Sequence, residues 1–164
     1  MKSRRIHVVI VVVLIGIVHL AVAQPTALDS GRIAKTLKLP DGATFAVTVS
    51  VGEWRSDPYK NAKLWGAWGK TPTTVIALVA ASRNKDPLYV PFSSYADLAE
   101  PHTAEVRLKG NNVELEIGGG AGGNSYHAVL VFAKGKYLSS RRVESSEMPK
   151  DAREETKYFG VENR

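Results

Sequence analysis

The chain has 164 residues, 22 basic and 16 acidic, for a net charge of +6. It contains no cysteine, which excludes disulfides, thiolate metal sites, cysteine nucleophiles and a lipid-modified N-terminal cysteine. Its length is enough for one domain with a sizeable core.

The N-terminus reads as a secretory signal peptide over residues 1–23. Lys2, Arg4 and Arg5 form a basic start, Val8 to Val18 is an apolar run, and Ala21-Val22-Ala23 is a small-residue cleavage box before Gln24. The alternative is an uncleaved anchor, since residues 6–23 approach the length of a spanning helix, although His19 interrupts them. Without residues 1–23 the chain carries 19 basic and 16 acidic residues, a net of +3. The remaining basic residues are scattered along the sequence, with no run longer than Arg141-Arg142. Nucleic acid is therefore not an expected partner. Export to a periplasm or extracellular space is the expected location, with membrane contact only if the N-terminal segment is retained.

Residues 24–31 read as a flexible start, 32–160 as a β domain and 161–164 as a tail. Residues 32–40 (RIAKTLKLP) are ambiguous between a short helix and an edge strand. In 45–51 (FAVTVSV) the apolar Phe45, Val47, Val49 and Val51 alternate with Ala46, Thr48 and Ser50, the pattern of a half-buried strand. Residues 63–69 (KLWGAWG) read as a strand. Residues 73–81 (TTVIALVAA) are apolar on both faces and read as a central strand. Residues 88–92 are short and contain Pro91, which suggests a sheet edge. Residues 94–99 read as one helical turn capped by Ser93 or Ser94 and stopped by Pro101.

Residues 104–109 and 113–117 alternate on either side of Gly110-Asn111-Asn112, a hairpin signature. An Asn111-Asn112 loop places Lys109 opposite Glu114 and Arg107 opposite Glu116, and charge pairing favours this register. A Gly110-Asn111 loop places Glu105 opposite Glu116, but suits a type II′ turn. The first register is the expectation. Residues 125–133 form a further strand, with Tyr126, Ala128, Leu130 and Phe132 on one face, and 136–143 return after a Lys134-Gly135 turn. Residues 147–153 read as a loop with a short helical turn, and 154–159 as a last edge strand. About eight short strands predict an all-β fold, a single antiparallel sandwich or barrel behind the N-terminal apolar signal helix.

VPFSSYADL (residues 90–98) and RRVESSEMPKDAREETKY (141–158) resemble segments of an uncharacterised family of small exported bacterial β-domain proteins. The resemblance covers roughly the C-terminal half. It implies export and a compact β domain, and lends no activity and no site residues.

The glycine run GGGAGGN (118–124) lacks the Lys and Ser or Thr of a phosphate cradle and lies between two strands. It reads as a hairpin loop, the alternative being a mobile loop that closes over a ligand. His102 and His127 are isolated, and no cofactor or metal motif is present. Ser125, His127 and Asp97 lack the strained nucleophile turn of a hydrolase triad. Glu114 and Glu116 have basic partners and read as surface charges rather than paired glycosidase acids. The aromatic segment carries the functional expectation. Trp54, Tyr59, Trp65 and Trp68 lie within fifteen residues, and an outward tryptophan beside Arg55, Lys60 or Lys63 suits a sugar ring or a partner protein. The leading reading is a non-catalytic exported domain that binds an envelope glycan or a protein. A hydrolase using Ser125 or His127, and a membrane-tethered domain, are the alternatives.

Overall fold

Alternating apolar positions place the strands, and the computed structural model describes residues 26–28, 31–55, 63–146 and 153–159. The strands are β1 (Thr26–Ala27), β2 (Arg32–Lys38), β3 (Thr44–Glu53), β4 (Thr74–Arg83), β5 (Asp86–Leu88), β6 (Pro101–Lys109), β7 (Asn112–Gly119), β8 (Tyr126–Ala133), β9 (Tyr137–Ser145) and β10 (Arg153–Lys157). They form two antiparallel sheets, ordered β1-β6-β7-β8-β9-β10 and β2-β3-β4-β5. The fold is all-β, and the described residues form ten strands where about eight were expected.

The two sheets share one hydrophobic core. Phe45, Val47 and Val49 of β3 face inward with Ile76 and Val79 of β4. They meet Val113, Leu115 and Ile117 of β7 and Ala128, Leu130 and Phe132 of β8. Phe45 and Phe132 touch across the sheets, with ring centroids 5.2 Å apart and planes at 60°. Such tilted aromatic pairs add to the burial of both rings. The segment after β5 joins the layers. Its backbone bridges Trp65 to Leu98 and Val75 to Ala99 before entering β6.

Several local expectations change. Residues 32–38 are the edge strand β2, not a helix. Residues 63–69 form no strand: Gly66 and Gly69 take φ of +91° and +73°, and Trp65 alone bridges to Leu98. Residues 74–83 are a strand, but not a fully covered one, since Leu78 and Ala80 face solvent on the outer side of the smaller sheet. The helical turn falls at Phe92–Ser94 as a 3₁₀ turn, and neither serine caps it; the Ser94 hydroxyl instead donates to the Pro91 carbonyl at 2.6 Å. Pro101 opens β6. The expected flexible start contains β1, paired with β6, and Leu28 is buried. The signal segment, residues 147–152 and the tail lie outside the described residues.

The β6–β7 register is the second of the two considered. Lys109 pairs with Asn112, Arg107 with Glu114 and Glu105 with Glu116. Gly110 takes φ of +60° at the first turn position, as a type II′ turn requires. The ionic contacts survive as diagonals: Arg107 reaches Glu116, and Lys109 Nζ lies 3.3 Å from Glu114 Oε1.

Phe132→Ala removes the ring that bridges the sheets and is expected to cost about 3–5 kcal/mol. Urea unfolding followed by circular dichroism measures it, and a loss below about 1 kcal/mol would contradict a shared core.

Candidate functional site

The glycine run and the tryptophan segment, far apart in sequence, meet at one end of the molecule. Gly120 sits against Gly66, whose Cα lies 2.9 Å from the position a Gly120 Cβ would take. A side chain at Gly120 would also run into the Asn124 carbonyl, and one at Gly66 into the Ala99 carbonyl and the Tyr126 ring. At Gly119 it would meet the Tyr126 hydroxyl. Gly118, Gly119 and Gly120 are therefore packed, whereas Gly122 and Gly123 face open space. The run forms the β7–β8 hairpin loop that its flanking strands predict, and its first half allows a close backbone approach.

Between the two segments lies a cleft of about 280 Å³. Lys70, Thr71, Glu100, His102 and Asn124 contribute polar groups to its walls. Glu100 holds the Trp-bearing loop to the sheet: its carboxylate accepts from the Thr73 N–H and, at 3.2 Å, from the Thr74 hydroxyl. It takes a φ of +47°, a conformation that non-glycine residues adopt only when their surroundings impose it. His102 Nε2 lies 2.9 Å from the Gly120 carbonyl, which can only accept, so that nitrogen carries the proton. Asn124 Nδ2 donates to the Trp68 carbonyl at 3.4 Å and ties the glycine loop to the cleft's rim.

The aromatic residues divide. Trp68 is 64% exposed on the loop that supplies Ala67 and Lys70 to the cleft, with Lys63 Nζ 5.8 Å from its ring centroid. Trp65 is half-buried against the core, and its indole N–H donates to Glu154 Oε2 at 3.5 Å. Trp54 is half-buried just after β3, with its backbone N–H donating to the Thr73 carbonyl at 2.8 Å. Tyr59 and Lys60 lie outside the described residues.

Below the cleft the structure buries a charge that the sequence reading missed. Arg141 of β9 is 2% exposed. Its guanidinium donates to both Asp97 oxygens at 2.6 Å and to Glu154 Oε1 at 2.6 Å. Burial outweighs the adjacent guanidinium and raises the Asp97 carboxyl above the usual range. Tyr126 stands nearby; burial and the Asp97 charge push its hydroxyl upward, so it stays a neutral phenol. Among the described residues the Tyr126 hydroxyl and Arg141 Nε have no hydrogen-bond partner. The available signal was position: Arg141 lies two residues before buried Val143, on the inward phase of β9.

The Ser125, His127 and Asp97 side chains go to different partners. The Ser125 hydroxyl donates to the Gly122 carbonyl at 2.8 Å, His127 Nε2 lies 3.2 Å from Glu116 Oε2, and Asp97 holds Arg141. Glu114 and Glu116 lie on the sheet's outer face with Arg107 and Lys109 as partners, although Glu114 is buried. Neither arrangement assembles a nucleophile with its base.

Protein-family models, curated proteins and solved structures yield no match to this chain.

Two measurements test the buried network. Arg141→Ala leaves Asp97 and Glu154 without their cation and is expected to cost about 3–5 kcal/mol in urea unfolding. In a carboxyl-detected NMR titration Asp97 should titrate above the usual carboxylate range. Asp41, held down by Arg83 at 2.5 Å, should titrate below it. A raised folded-state value means that Asp97's contribution is full below the unfolded pKa of about 3.8 and declines as pH rises through the folded value. Asp97 titrating at or below Asp41 would contradict this assignment.

Proposed function

We propose that this protein is an exported, non-catalytic binding domain whose ligand is an envelope glycan, held in the cleft between the glycine loop and the tryptophan loop. The observation that carries the reading is Trp68, exposed on the loop whose Ala67 and Lys70 line the cleft. A sugar presents apolar C–H faces and hydroxyl edges. An exposed indole offers a flat surface for the first, and Glu100, His102, Lys70 and Asn124 offer acceptors and donors for the second. The cleft's volume lies just below the usual range for small-ligand sites, roughly 300–1,000 Å³, which suits one short saccharide unit. Glu100 and the packed glycines fix the walls before ligand arrives, so little ordering opposes binding.

The architecture is read as a sandwich rather than a barrel, because the two sheets share a core while remaining separate hydrogen-bonded ladders. The exported location rests on the N-terminal sequence pattern alone.

Tryptophan fluorescence titrated with envelope glycans and peptidoglycan fragments tests the reading. A saturable shift is expected. Trp68→Ala should weaken binding by about 1–2 kcal/mol, roughly five- to thirtyfold, with unchanged circular dichroism. Trp54→Ala should have a smaller effect. No saturable shift with any of these glycans, or equal affinity in Trp68→Ala, would overturn it.

A further inference from the structure

The basic residues scattered along the sequence are gathered by the fold. The β2–β3, β4–β5, β6–β7 and β8–β9 turns all lie at the end of the molecule away from the cleft. Direct contacts tie them together. Asn84 exchanges hydrogen bonds with Thr44, the Thr44 N–H donating to its Oδ1 and its own N–H to the Thr44 carbonyl, both at 2.8 Å. Arg83 donates to the Lys134 carbonyl at 3.2 Å, and Asn112 Oδ1 accepts from the Lys134 N–H at 3.1 Å. Gly135 packs against Leu39 and Phe45.

This end carries Lys38, Arg83, Lys85, Lys109, Lys134 and Lys136. Its acidic groups are Asp41, Asp86 and Glu114; Asp41 is bound by Arg83 and Glu114 by Lys109. Lys38, Lys85, Lys134 and Lys136 are all exposed, and none has an acidic partner among the described residues. Two aromatic rings flank them. Tyr137 follows Lys136 and is partly exposed. Phe159 is 92% exposed and follows Tyr158, whose N–H donates to the Ser139 carbonyl at 2.9 Å.

We propose that this end of the domain docks on an anionic phospholipid surface. Clustered lysines bind anionic headgroups, and exposed aromatic rings beside them suit the boundary between headgroups and acyl chains. The aromatic rings select a bilayer over other polyanions, because a soluble polyanion offers the exposed Phe159 ring no apolar layer to enter. The cleft, at the opposite end, is left facing away from the bilayer.

Co-sedimentation of the full chain with vesicles tests this. Vesicles of phosphatidylcholine alone are compared with vesicles containing phosphatidylglycerol, at low and high salt. Native and variant chains share residues 1–23, so comparing them on the same vesicles cancels whatever that segment contributes by itself. Tighter binding to the phosphatidylglycerol vesicles, released by salt, is expected. Each lysine should be worth roughly fivefold, so Lys85→Gln/Lys134→Gln/Lys136→Gln should weaken the anionic component by roughly a hundredfold. The backbone bonds at Lys134 do not use its side chain, and circular dichroism checks that the variant is folded. Arg153→Gln, at the opposite end of β10, should bind as the native protein does. Equal binding to both vesicle types, a triple variant that binds the phosphatidylglycerol vesicles as tightly as the native chain, or an equal loss in Arg153→Gln would each overturn the proposal.

Discussion

A guanidinium cannot lose its proton inside a protein, so wherever the chain buries one, it must bring anions to it. Arg141 imposes that requirement here. Its two carboxylate partners come from separate parts of the chain: Asp97 from the segment that crosses between the sheets, Glu154 from the last edge strand. The crossing segment carries the backbone bridges to Trp65 and Val75, and Glu154 also receives the Trp65 indole. One cation thus fixes the crossover, β9, β10 and the base of the tryptophan loop relative to one another. The cleft above inherits its shape from that arrangement. Replacing such a network by apolar side chains often leaves stability unchanged, whereas breaking it does not. Its value lies in specifying one arrangement of these segments.

What the sequence makes legible is what short-range physics decides. The period-2 pattern places β3, β7 and β8 and their inward faces, because a sheet covered on one side sorts apolar from polar residues at every second position. The glycine hairpin loop and the Lys134-Gly135 turn follow from backbone freedom. The β6–β7 register shows where this reasoning goes astray. Arg107 and Lys109 reach Glu116 and Glu114 on the diagonal as readily as they would directly opposite, so charge pairing does not separate the registers. The backbone requirement at Gly110 does. The β4–β5 turn carried no glycine signal, since Asn84 and Lys85 take φ of 51° and 76° with side chains that rarely do so.

The candidate site was half legible. Composition marked the tryptophan segment and the glycine run, but no pattern within either shows that Gly66 and Gly120 touch. Trp65 and Trp68, treated as equals in the sequence, are separated by Gly66, whose positive φ turns the chain so that one ring lies against the core and the other is left in solvent. Glu100 and His102 were hidden because their roles come from tertiary contacts with Thr73, Thr74 and Gly120. The lysine cluster was invisible for the same reason: only the topology brings four hairpin turns to one end.

Strand β1 has a consequence for the order in which the chain can assemble. The strands β6 to β10 are each hydrogen-bonded to the next in sequence, so that sheet grows through short loops. β1 pairs with β6 about 78 residues downstream, and Leu28 closes onto the His102 carbonyl. Closing so long a loop carries a conformational entropy that the short hairpins avoid. During synthesis the N-terminal segment therefore has no docking place until well over half of the chain has followed it. The larger sheet gains its β1 edge only after that interval, so its last strand to dock is the first of the described strands to be made.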